Sequence, residues 1–144
     1  SLVNSVAKQL GKKFVLDKNP MNISEFKLVF DGEKGKFIYK NAQGNKEIEF
    51  GMCKNVYGRF PEEGYSDETG TVFAPRHYYG CAASAAWTKE KNLFIKVQII
   101  DKYFGNLNIN IGFNNNGEAT IRMEKFAEDF LKEYQGFAGG KMTE

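Results

Sequence analysis

In "NLNINIGF", residues 106 to 113, Leu107, Ile109, Ile111 and Phe113 alternate with Asn106, Asn108, Asn110 and Gly112. Side chains of a strand point to opposite faces with a period of two, so this stretch has one face for a core and one for water. "FKLVF" groups Phe26, Leu28 and Phe30 in the same way. "LFIKVQI" groups Leu93, Ile95, Val97 and Ile99, and "ATIRME" sets Ala119, Ile121 and Met123 against Thr120, Arg122 and Glu124. The pattern dominates from residue 13 to residue 124 and suits half-buried antiparallel strands.

The breaks carry hairpin chemistry: "DGEKG", "NAQGN", "TKEKN", "KYFGN" and "NNNG", the last with Asn116-Gly117 able to take positive φ. Strands are expected near 13–17, 24–31, 36–41, 46–51, 71–75, 78–88, 92–101, 106–113 and 117–124. Eight or nine short meandering strands with one apolar face must curl to hide it. The fold class is therefore all-β and mainly antiparallel: a lipocalin-like up-and-down barrel of about eight strands, with a two-sheet sandwich as the structural alternative. Two segments have helical spacing instead. "MEKFAEDFLKEYQG" places Phe126, Ala127, Phe130, Leu131 and Tyr134 on one stripe ahead of Gly136, and "VNSVAKQLG" places Val3, Val6, Ala7 and Leu10 on another. A C-terminal helix and a short N-terminal helix are expected.

At 144 residues the chain fits one domain, and a domain of this size buries about 70% of its unfolded surface. Twenty Lys and Arg against 18 Asp and Glu leave a net charge of +2 with no run of either sign, so nucleic acid is not an expected partner. No apolar run reaches the roughly 20 residues of a membrane-spanning helix. Ser1-Leu2 reads as a possible cloning remnant, which leaves the compartment open, cytoplasmic or exported. Cys53 and Cys81 match neither a metal motif nor a disulfide-dense scaffold, and two buried thiols are favoured over a bridge.

Ser5 and Lys8 in "NSVAKQ" have the Ser-x-x-Lys spacing of serine β-lactamases. That centre also needs an oxyanion hole and facing partner motifs, and "YSD" and "ETG" at 65 to 70 are consecutive on one loop, so Ser5 is not read as a nucleophile. His77, the only histidine, lacks a constellation around it and reads as a hydrogen-bonded structural residue. Glu62-Glu63, beside Pro61 and Gly64, read as solvated loop acids. No catalytic residue, metal or cofactor is expected. Most of the 13 Phe fill the core. Tyr57, Arg59, Phe60, Tyr65, Arg76, His77, Tyr78 and Tyr79 collect in or beside the long segment 51–80, which makes it the candidate interface or ligand loop. Trp87 is expected to anchor the core.

"CAASAAWTKEKNLFIKVQIIDKYFGNLNINIGF" and "NPMNISEFKLVFDGEKGKFIYKNAQGNKEIEFGMCKNVYGRF", with its Gly58-Arg59-Phe60 step, resemble the C-terminal region of bacterial serine hydrolases of the β-lactamase and penicillin-binding-protein superfamily. The resemblance implies a non-catalytic accessory domain that packs on or shapes an N-terminal hydrolase domain of the same polypeptide, with a homodimer contact as a second expected partner surface. Residues 1–12 would then be a linker or short helix and 13–144 a single accessory barrel. The alternative is an independent lipocalin-like module holding a small apolar ligand or glycan. An enzyme built on His77 and the loop acids is a third reading.

Overall fold

A computed structural model describes residues 4–63, 78–100, 104–127 and 131–143. Among them are one helical turn, α1 (Asn4–Ala7), and ten strands: β1 (Phe14–Leu16), β2 (Glu25–Asp31), β3 (Lys34–Asn41), β4 (Gly44–Met52), β5 (Val56–Glu63), β6 (Tyr78–Lys89), β7 (Asn92–Ile100), β8 (Phe104–Phe113), β9 (Glu118–Phe126) and β10 (Gly136–Met142). Adjacent strands pair antiparallel along the order β4-β3-β2-β1-β10-β9-β8-β7-β6-β5, all but β1 and β10 being sequence neighbours, and a short parallel pairing of β4 with β6 closes nine of them into a ring. The expected all-β up-and-down barrel is the fold.

The hairpins form where turn chemistry places them. Gly32 takes φ 63° between Asp31 and Lys34, which face each other in register. At 114–117, Asn114 Oδ1 accepts from the backbone N–H groups of Asn116 and Glu118 at 2.8 and 3.0 Å, and Gly117 takes φ 77°. An Asx-type side chain here satisfies the turn's own donors.

Alternation then sorts the side chains. Phe26, Leu28, Phe37, Tyr39, Ile48, Phe50, Leu93, Ile95, Val97, Leu107, Ile109, Ile111, Ile121 and Met123 are buried within the ring. Burying each large apolar side chain is worth about 1.5–3 kcal/mol. Ring contacts run through this core without a break, from Phe60 to Tyr134, Tyr39, Phe37, Phe26, Phe14 and Phe113. Trp87 continues the series to Phe30, with centroids 6.2 Å from Phe113 and 6.4 Å from Phe30. It is partly buried against the core.

The short N-terminal helix is present. Val6 is buried, and Gln9 Nε2 donates to the carbonyls of Asn114 and Ser5, at 2.7 and 3.0 Å, so the turn caps one end of the barrel. Ser5 Oγ lies 2.7 Å from Asn115 Oδ1, to which it gives its proton, while Lys8 is exposed. A hydroxyl committed to an amide oxygen is not an activated nucleophile.

Two expectations fail. The C-terminal helix is replaced by the end of β9, a turn over 131–135 and β10. Gly136 pairs with Met123, so the two ends of the stretch read as one helix belong to two antiparallel strands, and no single helix can run from one to the other. The segment 51–80 is no continuous loop either: its described part holds the end of β4, all of β5 and the start of β6. The strand expected at 71–75 lies outside the described residues.

The ends of the chain meet in the sheet, where β1 pairs with β10 from Phe14↔Met142 to Leu16↔Gly140. A Cβ on Gly140 would collide with the carbonyl oxygen of Val15 and stand 2.9 Å from Leu16 Cα. Because backbone cannot move aside cheaply, Gly140→Ala should destabilise the protein by about 1–3 kcal/mol, read as a lower urea midpoint with an unchanged slope.

Candidate functional site

The inward row of β4 begins with a charge. Lys46 stands opposite Tyr39 in register and shares its face with Ile48 and Phe50, so alternation turns its ammonium into the barrel, where the side chain is only 12% exposed. Its counterion is Glu62 of β5, 1% exposed. Lys46 Nζ lies 3.1 Å from Glu62 Oε1 as an ion pair, but off the angle of a hydrogen bond, so Oε1 receives none. Nζ also donates to the Pro61 carbonyl at 3.1 Å and to Gln43 Oε1 at 3.5 Å.

Oε2 of Glu62 is better served. It accepts from the Tyr134 hydroxyl at 2.6 Å and from Asn41 Nδ2 at 3.0 Å. The Tyr39 and Tyr134 hydroxyls are 2.6 Å apart. A phenol carries one proton; that of Tyr134 goes to Glu62, so Tyr39 must be the donor to Tyr134. Burial raises the pKa of both phenols well above the ordinary range, and for Tyr134 the negative charge that would form on Tyr39 adds to the rise. On the inward row of β6, burial likewise pushes the Cys81 thiol up to about 11. It is inert, and Cys53 is exposed rather than buried; both are free.

Tyr134 reaches this position from the 131–135 turn, where Leu131, fully buried, takes φ 61°. Its ring lies across Tyr39 at 85° and 5.4 Å from Phe60. The turn thus seats one aliphatic and one phenolic side chain in the end of the barrel opposite α1. Lys125, in register with Leu107 on the inward row of β9, donates to the Ala127 carbonyl at 2.6 Å beside it.

Alternation divides the candidate loop residues. Phe60 and Tyr79 are fully buried, whereas Tyr57 is 70% exposed and Arg59 is exposed on the other face of β5. Tyr78 lies at the start of β6, with its side chain outside the described residues. Tyr65, Arg76 and His77 also fall outside the described residues. Glu62, read as a solvated acid, is instead at the centre of the polar cluster. Lys46 was signalled by its place in a row with Ile48 and Phe50; Tyr134 was hidden within a helical apolar spacing. Among the described residues no group of His, Cys, Asp and Glu could hold a metal, and no helix is long and apolar enough to cross a membrane.

No protein-family model matches the chain, and no curated protein matches its sequence. Solved structures do match. They include the REP1-NXSQ fatty acid transporter, with a TM-score of 0.57 and 8% identity over 96% of this chain and 98% of that one. A Schistosoma mansoni fatty acid binding protein in complex with arachidonic acid has a TM-score of 0.57 and 12% identity over 98% and 100% of the two chains. A fatty-acid-binding protein from Drosophila melanogaster brain has 0.54 and 12%, over 92% and 98%. The chain has the fold of fatty-acid-binding proteins.

That finding overturns the resemblance to a β-lactamase or penicillin-binding-protein accessory domain, and with it the serine hydrolase class and the N-terminal hydrolase domain as a partner. Of the two stretches that carried the resemblance, one runs through β2 to β5 and the other is the β6–β7–β8 meander, in which Ala83 and Ala85 are buried small residues facing the crowded interior. Barrel packing accounts for the run of alanines.

Breaking a buried pair strands a charge, whereas replacing both partners by apolar groups does not. Lys46→Met should therefore destabilise by about 3–5 kcal/mol, and Lys46→Met with Glu62→Leu should recover most of that loss in a urea-denaturation cycle. The phenols set an alkaline limit. Their protons are held in the folded state while the unfolded chain releases them, so stability is intact below pH about 10 and falls as pH rises beyond it. Tyr39→Phe should weaken that alkaline dependence, measured as denaturant midpoint against pH.

Proposed function

We propose that this protein is an independent lipocalin-like module that encloses a small, elongated apolar ligand with one polar end. The observation that carries the reading is the polar cluster of Lys46, Glu62, Tyr134 and Tyr39, set at one end of a barrel interior that is mainly aliphatic and aromatic among the described residues. A few convergent polar groups in an apolar enclosure are the usual composition of a small-molecule site. A buried ion pair is weak evidence for stability, because apolar residues of like volume serve as well or better; binding gives it a reason to be there. The fold supports the same reading, since the solved structures named above that share it are those of a fatty acid transporter and of fatty-acid-binding proteins.

The interior row residues have almost no solvent-accessible surface, so side chains occupy the ligand's volume in the free protein. Leu131 and Tyr134 come from a turn rather than from the ring itself, and they are the occupants that can leave without breaking a strand pairing. Ile100 and Phe126, half exposed at the same end, offer an apolar approach. A glycan is less well served, since the inward rows are aliphatic and aromatic and give it few hydrogen-bond partners.

Titration with Nile red tests this. Saturable fluorescence is expected, displaced by compounds with a ten-carbon alkyl chain, and such a compound at a hundred times its Kd should stabilise the fold by about 2.7 kcal/mol. Tyr134→Ala should bind the dye several-fold more tightly by vacating the end of the barrel. Folded protein that gives neither saturable fluorescence nor a thermal shift with any of these compounds would overturn the reading.

A further inference from the structure

We propose that the ligand of this barrel presents an uncharged hydroxyl group to Glu62, in the place held by the Tyr134 phenol in the free protein. The inference rests on the ligand-binding reading and specifies its head group.

The argument is one of protons. Within the cluster the donors are committed. Lys46 Nζ donates to the Pro61 carbonyl and to Gln43 Oε1 and stands beside Glu62 Oε1 as an ion pair without a hydrogen bond; the Tyr134 proton goes to Glu62 and that of Tyr39 to Tyr134. Acceptors are left over. Glu62 Oε1 is buried and receives no hydrogen bond, and once Tyr134 withdraws, Oε2 loses one of its two donors. The Tyr39 proton then also lacks an acceptor. A group that both donates and accepts restores both contacts, and a hydroxyl does so. A carboxylate only accepts, so it would leave Glu62 without its donor and set a second negative charge beside the first.

Charge leads to the same choice. Among the described residues, two cations, Lys46 and Lys125, and two anions, Glu62 and Glu133, stand near this end, and Glu133 lies close enough to Tyr39 to disfavour its ionisation. Lys46 and Glu62 already pair with each other, so a further charge brought into the dry interior would have no counterion waiting for it. Tyr134 itself is the precedent: an uncharged hydroxyl on an apolar body, seated between Tyr39 and Glu62.

The test compares decanol, decanoate, decylamine and decyl methyl ether, all displacing Nile red from the wild-type protein at neutral pH. Decanol is expected to bind at least about tenfold more tightly than each of the other three, the difference a buried hydrogen bond to a charged group makes. Decanoate or decylamine binding as tightly as decanol would overturn the uncharged head group, and the ether doing so would overturn the donated hydrogen bond; in all three cases ligand binding itself would stand. Displacement by none of the four would instead be the failure of the ligand-binding reading. Glu62→Gln, with folding verified by circular dichroism, provides the second arm. It removes the negative charge and frees Lys46, so decanoate should gain at least about tenfold relative to decanol; an unchanged ratio would overturn the role given to Glu62.

Discussion

Closure of the sheet rests on two short pairings, three residues of β1 against β10 and two of β4 against β6. Everything else in the ring is local, hairpin after hairpin, and would leave one greasy face open to water. The two closing contacts join residues far apart in sequence, so loop-closure entropy opposes them until the buried face repays it. Each is reinforced by backbone that approaches closely. Gly140 admits the Val15 carbonyl, and Cys53 N–H donates to the Ala85 carbonyl at 2.8 Å, just past the parallel pair.

Period two made the barrel legible because it is a property of each strand alone. It located β2, β3, β4, β6, β7, β8 and β9 to within a few residues. What failed was what depends on the rest of the molecule. "GFAGGKM" has three glycines in seven residues and reads as no strand by propensity; as β10 its Gly140 serves close approach to β1. "VYGRFPEE" holds Gly58 and Pro61, both poor strand formers, yet among the described residues β5 pairs with β6, on one side, through a register irregularity between Arg59 and Glu63 that accommodates proline. The apolar spacing of Phe126, Leu131 and Tyr134 matched a helix by coincidence: Phe126 is half exposed on a strand end, while the other two fill the barrel from a turn.

The polar cluster was legible in part. A lysine heading the row Lys46, Ile48, Phe50 is visible as an inward charge once the strand is accepted, and an inward lysine demands a counterion. Its partner could not be named, because Glu62 sits on the strand that sequence reasoning took for a loop. Loop placement made that acid look solvated, and the same error scattered Phe60 and Tyr79 among surface candidates when both are core. A strand taken for a loop and a turn taken for a helix thus concealed the site, although Glu62 and Tyr134 had both been named.

A filled interior changes how affinity arises. In an empty, water-filled barrel a ligand would gain from every apolar atom it buries. In the binding mode proposed, it exchanges places with Leu131 and Tyr134, so apolar area enters and leaves together and the net hydrophobic term is small. Selectivity then falls to whatever does not cancel, which is the polar contact at Glu62 and Tyr39. A hydrogen bond in that dry setting discriminates strongly, because the alternative is an unsatisfied buried group. The same exchange implies a small heat-capacity change on binding, since little apolar surface is newly removed from water. Chain length should therefore matter less to this barrel than the chemistry of the ligand's end.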